Sequence, residues 1–142
     1  EFIKTLEKEM KNLKLNESML HRSLNQGFSG GEKKKNEVLQ LKLLKPKFII
    51  LDELDSGLDV DSLRITSENI KKYKAENPST SILIITHHPK ILEYLHPDYV
   101  HIMNNGKIIK TGNYDLAMEV EKNGYNYFKD SNNDITKEVT NE

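Results

Sequence analysis

The sequence predicts an α/β fold in which a parallel strand–helix–strand unit is followed by an antiparallel hairpin. Two apolar runs, residues 48–51 and 82–85, are separated by a helical pattern near 60–76, and each run is followed by polar residues. Short, uninterrupted apolar runs are typical of strands buried on both faces of a parallel sheet. The pair Asn105-Gly106 between two further strand-like stretches predicts a tight turn, because that turn needs positive φ. We therefore expect ligands beyond the carboxyl ends of the first two strands.

Helices are predicted where apolar residues recur at intervals of three and four among charged ones. The first is amphipathic, a short one follows it, and a third ends at Lys45-Pro46-Lys47 because proline lacks the amide donor. From Asp130 onward the polar composition predicts a mobile tail. The predicted helices cover residues 2–13, 16–24, 32–44, 60–76, a short stretch ending near 95, and 114–122.

The composition excludes several classes of protein. With 21 basic and 22 acidic side chains among 142 residues, the net charge of −1 provides no field that would attract nucleic acid or an anionic membrane. The absence of cysteine excludes a disulfide scaffold and a cysteine-ligated metal centre within this chain. No apolar run approaches the roughly 20 residues of a membrane span. The histidines lack metal-ligand spacing, and Lys33-Lys34-Lys35 is interpreted as a solvated helix face.

The segment Ser29-Gly30-Gly31-Glu32 is the first candidate site. It places a hydroxyl and two residues without side chains before a helix, where unpaired amides and the positive helix end favour an anion such as phosphate. The alternative is that Ser29 caps the helix and the glycines form a turn.

The second candidate site lies at the ends of the two apolar strands. Asp52 and Glu53 follow the first, where one carboxylate is suited to holding Mg²⁺ and the next to polarising water. His87 follows the second, where an imidazole would reach a γ-phosphate or the attacking water. The alternatives are an acidic turn that solvates the strand end and a structural histidine.

Taken in order, these segments resemble the second half of the nucleotide-binding domain of ABC-type ATPases, a P-loop family with a RecA-like core. Residues 28–32 resemble the signature loop, 48–53 the Walker B strand, 56–59 the D-loop, and His87 the switch histidine. Within the family the finer similarity is to the SufC group of iron–sulfur cluster assembly. It rests on residues 25–36 and on 52–59, where Leu54-Asp55 replaces the proline usual in transporter ATPases.

The resemblance implies a role for each candidate residue in a sandwich of two ATPase copies that encloses ATP. The signature residues would bind the γ-phosphate held by the second copy, and the D-loop would couple the two sites. Asp52 would hold Mg²⁺ through water. Glu53 would act as general base, and His87 would sense the γ-phosphate. The signature residues are Ser29, Gly30, Gly31 and Glu32, and the D-loop residues are Ser56, Gly57 and Asp59. The partners implied are SufB- and SufD-like scaffold proteins, without nucleic acid or membrane insertion.

The departure from the family pattern is the absence of a GxxxxGK[ST] loop, which holds the β- and γ-phosphates of ATP. We therefore expect an upstream part to be missing, and the fragment alone to be inactive and marginally stable or prone to aggregate. The expected division is into part of a helical signature subdomain at 1–45, part of the ATPase core with a terminal hairpin at 46–129, and a tail at 130–142.

Three other interpretations remain open at this point. An ABC transporter ATPase would need a membrane-subunit partner, and Leu54-Asp55 argues against it. The carboxyl-terminal lobe of a chromosome-maintenance or repair ATPase would lack the same loop, but residues 1–25 show no sustained heptads. A noncatalytic binding protein is disfavoured by intact Glu53 and His87. The resemblance implies a soluble protein, either of a bacterial-type cytosol or of a plastid or apicoplast stroma.

Overall fold

A computed structural model describes residues 1–21, 23, 26–124 and 128, and these divide into two compact units, one before residue 96 and one from residue 96 onward. The division predicted between residues 45 and 46 stays a prediction, and the predicted tail at 130–142 lies outside the described residues. The first unit contains α1 (Phe2–Asn12), a 3₁₀ helix (Glu17–His21), α2 (Gly30–Leu44), β1 (Phe48–Asp52), α3 (Val60–Glu76), β2 (Ser81–Ile85) and α4 (Lys90–Leu95). The second contains β3 (Val100–Asn104), β4 (Lys107–Gly112) and α5 (Tyr114–Asn123).

The predicted parallel unit is present, with β1 and β2 joined through α3. Within the helix predicted over 16–24, the structure describes a 3₁₀ helix, Glu17–His21, and residues 22 and 24 lie outside the described residues. The Asn16 side chain accepts a hydrogen bond from the Ser18 amide over 2.9 Å, and the Asn16 carbonyl accepts from the Met19 amide. Such local side-chain bonds compete with a regular helix.

The sheet of the first unit is buried on one face only, so the prediction that both faces of its strands are buried is wrong for this chain. Ile49 and Leu51 alternate with exposed residues along β1 and join a core formed with α1, α2 and α3. The opposite face carries Phe48, Ile50, Leu83 and Ile85, which are 58, 56, 45 and 47% exposed. Among the described residues, no element covers that face.

Polar contacts hold the helices of the first unit together behind the buried face. The Tyr73 hydroxyl donates to the Pro46 carbonyl over 3.1 Å and so fixes α3 to the entry of β1. Lys42 of α2 pairs with Glu9 of α1 and donates to the Asn69 side-chain oxygen of α3 over 2.8 Å. Three helices therefore meet at one buried ammonium group.

The second unit confirms the predicted hairpin. Strands β3 and β4 pair antiparallel, and Asn105 and Gly106 both take positive φ, 48° and 74°. Its small core consists of Ile102, Leu116, Val120 and Phe128. In the part of the chain that the structure describes, no helix is both long enough and apolar enough to cross a membrane.

Candidate functional site

The carboxyl ends of β1 and β2 lie side by side and bring the predicted acidic and imidazole groups together. Asp52 pairs with Ile85 as the last residues of the ladder, and the Glu53 amide extends it by donating to the Ile85 carbonyl over 2.9 Å. Glu53 then turns the chain sharply, with φ of 46°. A left-handed conformation is costly for a residue with a Cβ, and such residues cluster at functional sites.

Glu53 and His87 form a contact across the two strand ends. The distance between Glu53 Oε1 and His87 Nδ1 is 3.5 Å, and the two side chains are 55% and 58% exposed. The His87 ring lies 3.8 Å from the His88 ring, tilted by 44°. The pair is therefore open to a ligand on the solvent side and is charge-assisted only when the imidazole is protonated.

Ser29 is the N-cap of α2 and forms a reciprocal capping box with Glu32. The Glu32 amide donates to Ser29 Oγ over 3.2 Å, and the Ser29 amide donates to Glu32 Oε2 over 2.8 Å. Gly30 and Gly31 are the first two residues of the helix rather than a turn before it. The helix end that was predicted to attract phosphate is thus preorganised by the cap, and its glycines leave the amides accessible.

The predicted D-loop lies against this helix start. A Cβ on Gly30 would lie 4.0 Å from the Gly57 carbonyl, and one on Gly31 would lie 3.7 Å from the Leu58 side chain. Gly57 has φ of 73°, which favours glycine. The predicted signature and D-loop segments therefore lie next to each other in the first unit.

Asp59 caps α3 with both carboxylate oxygens. One oxygen accepts from the Ser62 amide over 2.7 Å, and the other accepts from the Ser62 hydroxyl over 2.9 Å. The amide and then the hydroxyl of Ser62 lower the pKa of Asp59, since both bonds favour the ionised carboxyl. The conformation of this residue is therefore set by the helix it starts.

Sequence reasoning did not include Asp55 and Thr86 among the site residues. Asp55 is buried between the predicted site loops, and its Oδ2 accepts a hydrogen bond from Thr86 Oγ1 over 2.8 Å. The available signal was a hydroxyl residue directly after the second apolar strand, next to His87. That signal does not identify the partner, which lies on another strand end.

The carboxylate oxygens at the strand ends are suitable ligands for a Mg²⁺ ion that binds together with a nucleotide. Asp52 and Glu53 are exposed carboxylates, the hard oxygen ligands that Mg²⁺ prefers. The described residues contain no cluster of three or more acidic or imidazole groups that could enclose a metal ion. Mg²⁺ bound with substrate phosphates needs only one or two protein carboxylates, and the two at this edge of the sheet are compatible with such an ion.

Curated proteins similar to this chain include an iron–sulfur cluster assembly protein and probable ATP-dependent transporters, although no family model matches the chain. The iron–sulfur cluster assembly protein SufC of Plasmodium berghei is 56% identical over 120 residues, which cover 84% of this chain and 32% of that protein. A probable ATP-dependent transporter, ycf16, of Antithamnion sp. is 49% identical over 126 residues, 89% of this chain and 49% of that protein. The chain thus spans about a third to a half of these relatives.

Solved structures with a similar fold are ATP-binding cassettes. One is the ADP conformation of an ATP-binding cassette of an ABC transporter, with 27% identity and a TM-score of 0.64 over 86% of this chain and 46% of that one. Another is the archaeal ribosome recycling factor in complex with a ribosomal stalk protein, with 26% identity and a TM-score of 0.68 over 84% of this chain and 23% of that one. By fold the chain corresponds to part of an ABC-type ATPase domain, and by sequence it is similar to SufC.

Proposed function

We propose that this chain supplies the signature, Walker B and switch-histidine part of an ATP hydrolysis site in a SufC-like ATPase. The observation that carries the proposal is the contact between Glu53 and His87 at neighbouring ends of two parallel strands. That edge of the sheet is where α/β proteins bind their ligands. Glu53 supplies a proton acceptor and His87 supplies a group that can bind phosphate. The two are close enough to contact the same water molecule.

In this mechanism the residues at the strand ends divide the work. Glu53 accepts a hydrogen bond from the attacking water and orients it toward the γ-phosphorus, since hydrolysis of a phosphoanhydride depends mainly on positioning. His87 donates to a γ-phosphate oxygen and holds the Glu53 side chain in place through the contact described above. When bound beside Asp52, Mg²⁺ would neutralise charge on the phosphate oxygens.

The signature segment acts on the nucleotide held by a second ATPase copy. Gly30 and Gly31 are the first two residues of α2, where helical amides have no partner within the helix, and the Ser29 hydroxyl lies at the same helix end. These groups stabilise the negative γ-phosphate where it projects from the facing copy. Glu32 keeps the segment in shape through the capping box, while Ser56, Gly57 and Asp59 form the adjoining D-loop that couples the two sites.

Hydrolysis also requires a phosphate cradle with a lysine, which the 142 residues do not contain. We therefore expect this fragment alone to lack ATPase activity and the site to work only when a Walker A segment is present. By similarity to the SufC relative, the work done by ATP binding is the rearrangement of a SufB–SufD scaffold. The locations that we propose for such a system are a plastid and a bacterial-type cytosol.

The test of hydrolysis uses the protein with its upstream coding sequence. We expect a strand followed by GxxxxGK[ST] in roughly the hundred preceding residues that an ordinary domain needs. The full-length protein should hydrolyse ATP, and Glu53→Gln should reduce kcat by a hundredfold or more, about 3 kcal/mol, while ATP binding persists. Glu76→Gln, the same change at the exposed end of α3, is the matched control. Equal activity of the two variants would contradict the proposal.

The test of the partner uses affinity capture from cells that express SufB- and SufD-like proteins. A SufC-like ATPase should co-purify with these scaffold proteins in the absence of detergent. The alternative suggested by the name of the ycf16 relative, an ABC transporter ATPase, instead predicts that a membrane permease is captured. Capture of a permease without scaffold proteins would contradict the assembly function and leave the ATPase assignment intact.

A further inference from the structure

A buried carboxylate connects the loop after Glu53 to the loop that carries His87. Asp55 is 8% exposed, and its Oδ2 accepts a hydrogen bond from Thr86 Oγ1 over 2.8 Å. Thr86 Oγ1 in turn accepts from the His88 amide over 2.9 Å. The hydroxyl also lies 3.2 Å from the His88 carbonyl, but its single proton favours the nearer, charged carboxylate, while a lone pair accepts from the amide. These bonds link Asp55 to the backbone on both sides of His87.

The backbone that carries this carboxylate is held close to Glu53 by hydrogen bonds of the turn. The Glu53 carbonyl accepts from the Ser56 amide over 3.0 Å, and the Asp55 carbonyl accepts from the Leu58 amide over 3.3 Å. These bonds close a tight turn immediately after the left-handed residue Glu53. The connection therefore runs from the turn at Glu53, through Asp55 and Thr86, to the loop at His87.

This arrangement carries a free-energy cost. Asp55 Oδ1 is also buried and has no hydrogen-bond partner among the described residues. Burial of a carboxylate oxygen without a partner is unfavourable, and an apolar side chain of similar size would avoid the cost. Because the Asp55 carboxylate lowers stability at the base of two site loops, its presence is better explained by a role in positioning those loops than by a contribution to stability.

We propose that Asp55, acting through Thr86, is a positioning residue that holds His87 in reach of Glu53. The role given to His87 rests on the proposed ATPase function, whereas the coupling of the two loops is a property of the chain itself. Loss of the Thr86 hydroxyl or of the Asp55 carboxylate releases the His87 loop. Serine at position 86 retains the connection.

The test traps the two loops in a disulfide, which the cysteine-free sequence makes specific. The parent variant is Glu53→Cys/His87→Cys in the 142-residue chain, and the measurement is the rate of disulfide formation under a fixed thiol oxidant. Thr86→Val should slow that rate at least about threefold, and Thr86→Ser should leave it within about twofold, because one hydrogen bond is lost or kept. Both charged side chains of the pair are removed in this background, so their mutual attraction cannot bring the loops together.

Asp55→Leu provides an independent variant. It should slow disulfide formation as Thr86→Val does, and the double variant should be no slower than the slower single variant, since both changes break one connection. Far-UV circular dichroism and urea unfolding should show that Asp55→Leu is folded and at least as stable as the parent. A purely structural role for Asp55 predicts lower stability in this variant.

Unchanged trapping in Thr86→Val or Asp55→Leu, or additive effects in the double variant, would overturn the proposal. None of these rates requires ATP, so they remain decisive if the full-length protein proves inactive, which would count against the proposed function alone. In an active full-length protein, Thr86→Val should lower kcat about tenfold with little change in KM for ATP, and Thr86→Ser should restore it.

Discussion

Lys42 and Glu9 form an ion pair between α2 and α1 in which both side chains are largely removed from water, with 3% and 13% of their surfaces exposed. Asn12 donates to the same Glu9 oxygen over 3.0 Å, and Asn69 accepts from Lys42. Lys42 Nζ and Glu9 Oε2 thus each have a further polar partner. The cost of burying the two charges is offset only while both partners are present.

Lys42→Met should therefore destabilise the first unit strongly. The substitution leaves the Glu9 carboxylate buried without its cation, which costs about 3 kcal/mol in comparable pairs. Urea unfolding followed by circular dichroism measures the change. Lys72→Met, which breaks a well-exposed pair with Glu76, should change stability by about 0.5 kcal/mol or less. A similar loss in both variants would show that burial does not distinguish the two pairs.

The pH dependence of stability should contain a contribution from Glu9. Burial raises the pKa of its carboxyl, but hydrogen bonds from Lys42 and Asn12 outweigh that effect, so the folded pKa lies below the ordinary value of 4.5. A lowered pKa contributes stability that is present above pH 4.5 and is lost as the pH falls through the folded value.

Glu9→Gln tests this contribution. The difference in unfolding free energy between the natural chain and the variant should be largest near neutral pH and should shrink as the pH falls below 4.5. Urea titrations at several pH values measure it. Glu7→Gln, the same change of charge at an exposed position of α1, provides the comparison. A difference that grows on acidification would reverse the assigned direction.

Contacts that follow from the topology of the strands could be predicted from the sequence, whereas individual side-chain contacts between distant segments could not. The meeting of Glu53 and His87 was predictable, because parallel strands bring their carboxyl ends to one edge whatever their separation in sequence. The link between Asp55 and Thr86 was not, since composition and spacing do not specify which buried hydroxyl meets which carboxylate. Burial of the sheet was overestimated because the apolar composition of a strand shows only that its side chains favour burial. Whether the second face of β1 and β2 is buried depends on which elements pack against it.

Ser29 offers a way to separate helix capping from phosphate binding. Ser29→Asp should retain helix stability, because aspartate is as good an N-cap as serine, whereas Ser29→Ala should cost about 1 kcal/mol. The aspartate would repel a γ-phosphate at the same helix end. ATP-dependent dimerisation of the full-length protein, followed by light scattering, should therefore be lost in Ser29→Asp and weakened in Ser29→Ala. Dimerisation that survives the aspartate would limit Ser29 to capping.

The left-handed conformation of Glu53 predicts a conflict between stability and activity. Glu53→Gly removes the Cβ from a residue with φ of 46° and should raise the unfolding free energy by about 1 kcal/mol. It also removes the carboxylate proposed to orient water, so ATPase activity of the full-length protein should disappear. Glu53→Gln is the matched variant, since it keeps the strain. Equal stability of the two variants would indicate that the turn stores no strain.

The open face of the sheet should govern how this chain behaves in solution. Ile50 and Leu83 are opposite each other in the register of β1 and β2, and both are exposed together with Phe48 and Ile85. An apolar face beside an unpaired strand edge favours association with another chain. Threonine is β-branched and suits a strand, so Ile50→Thr/Leu83→Thr retains the strand preference while removing apolar surface from this face.

The double threonine variant should raise the monomer fraction in size-exclusion chromatography with light scattering and change the unfolding free energy little. Ile49→Thr, which places the same hydroxyl on the buried face of the same strand, should instead lower stability by about 2 kcal/mol or more, because it buries a polar group without a partner. If both variants behaved alike, the two faces of the sheet would be equally buried, and the one-sided core described for the first unit would be wrong.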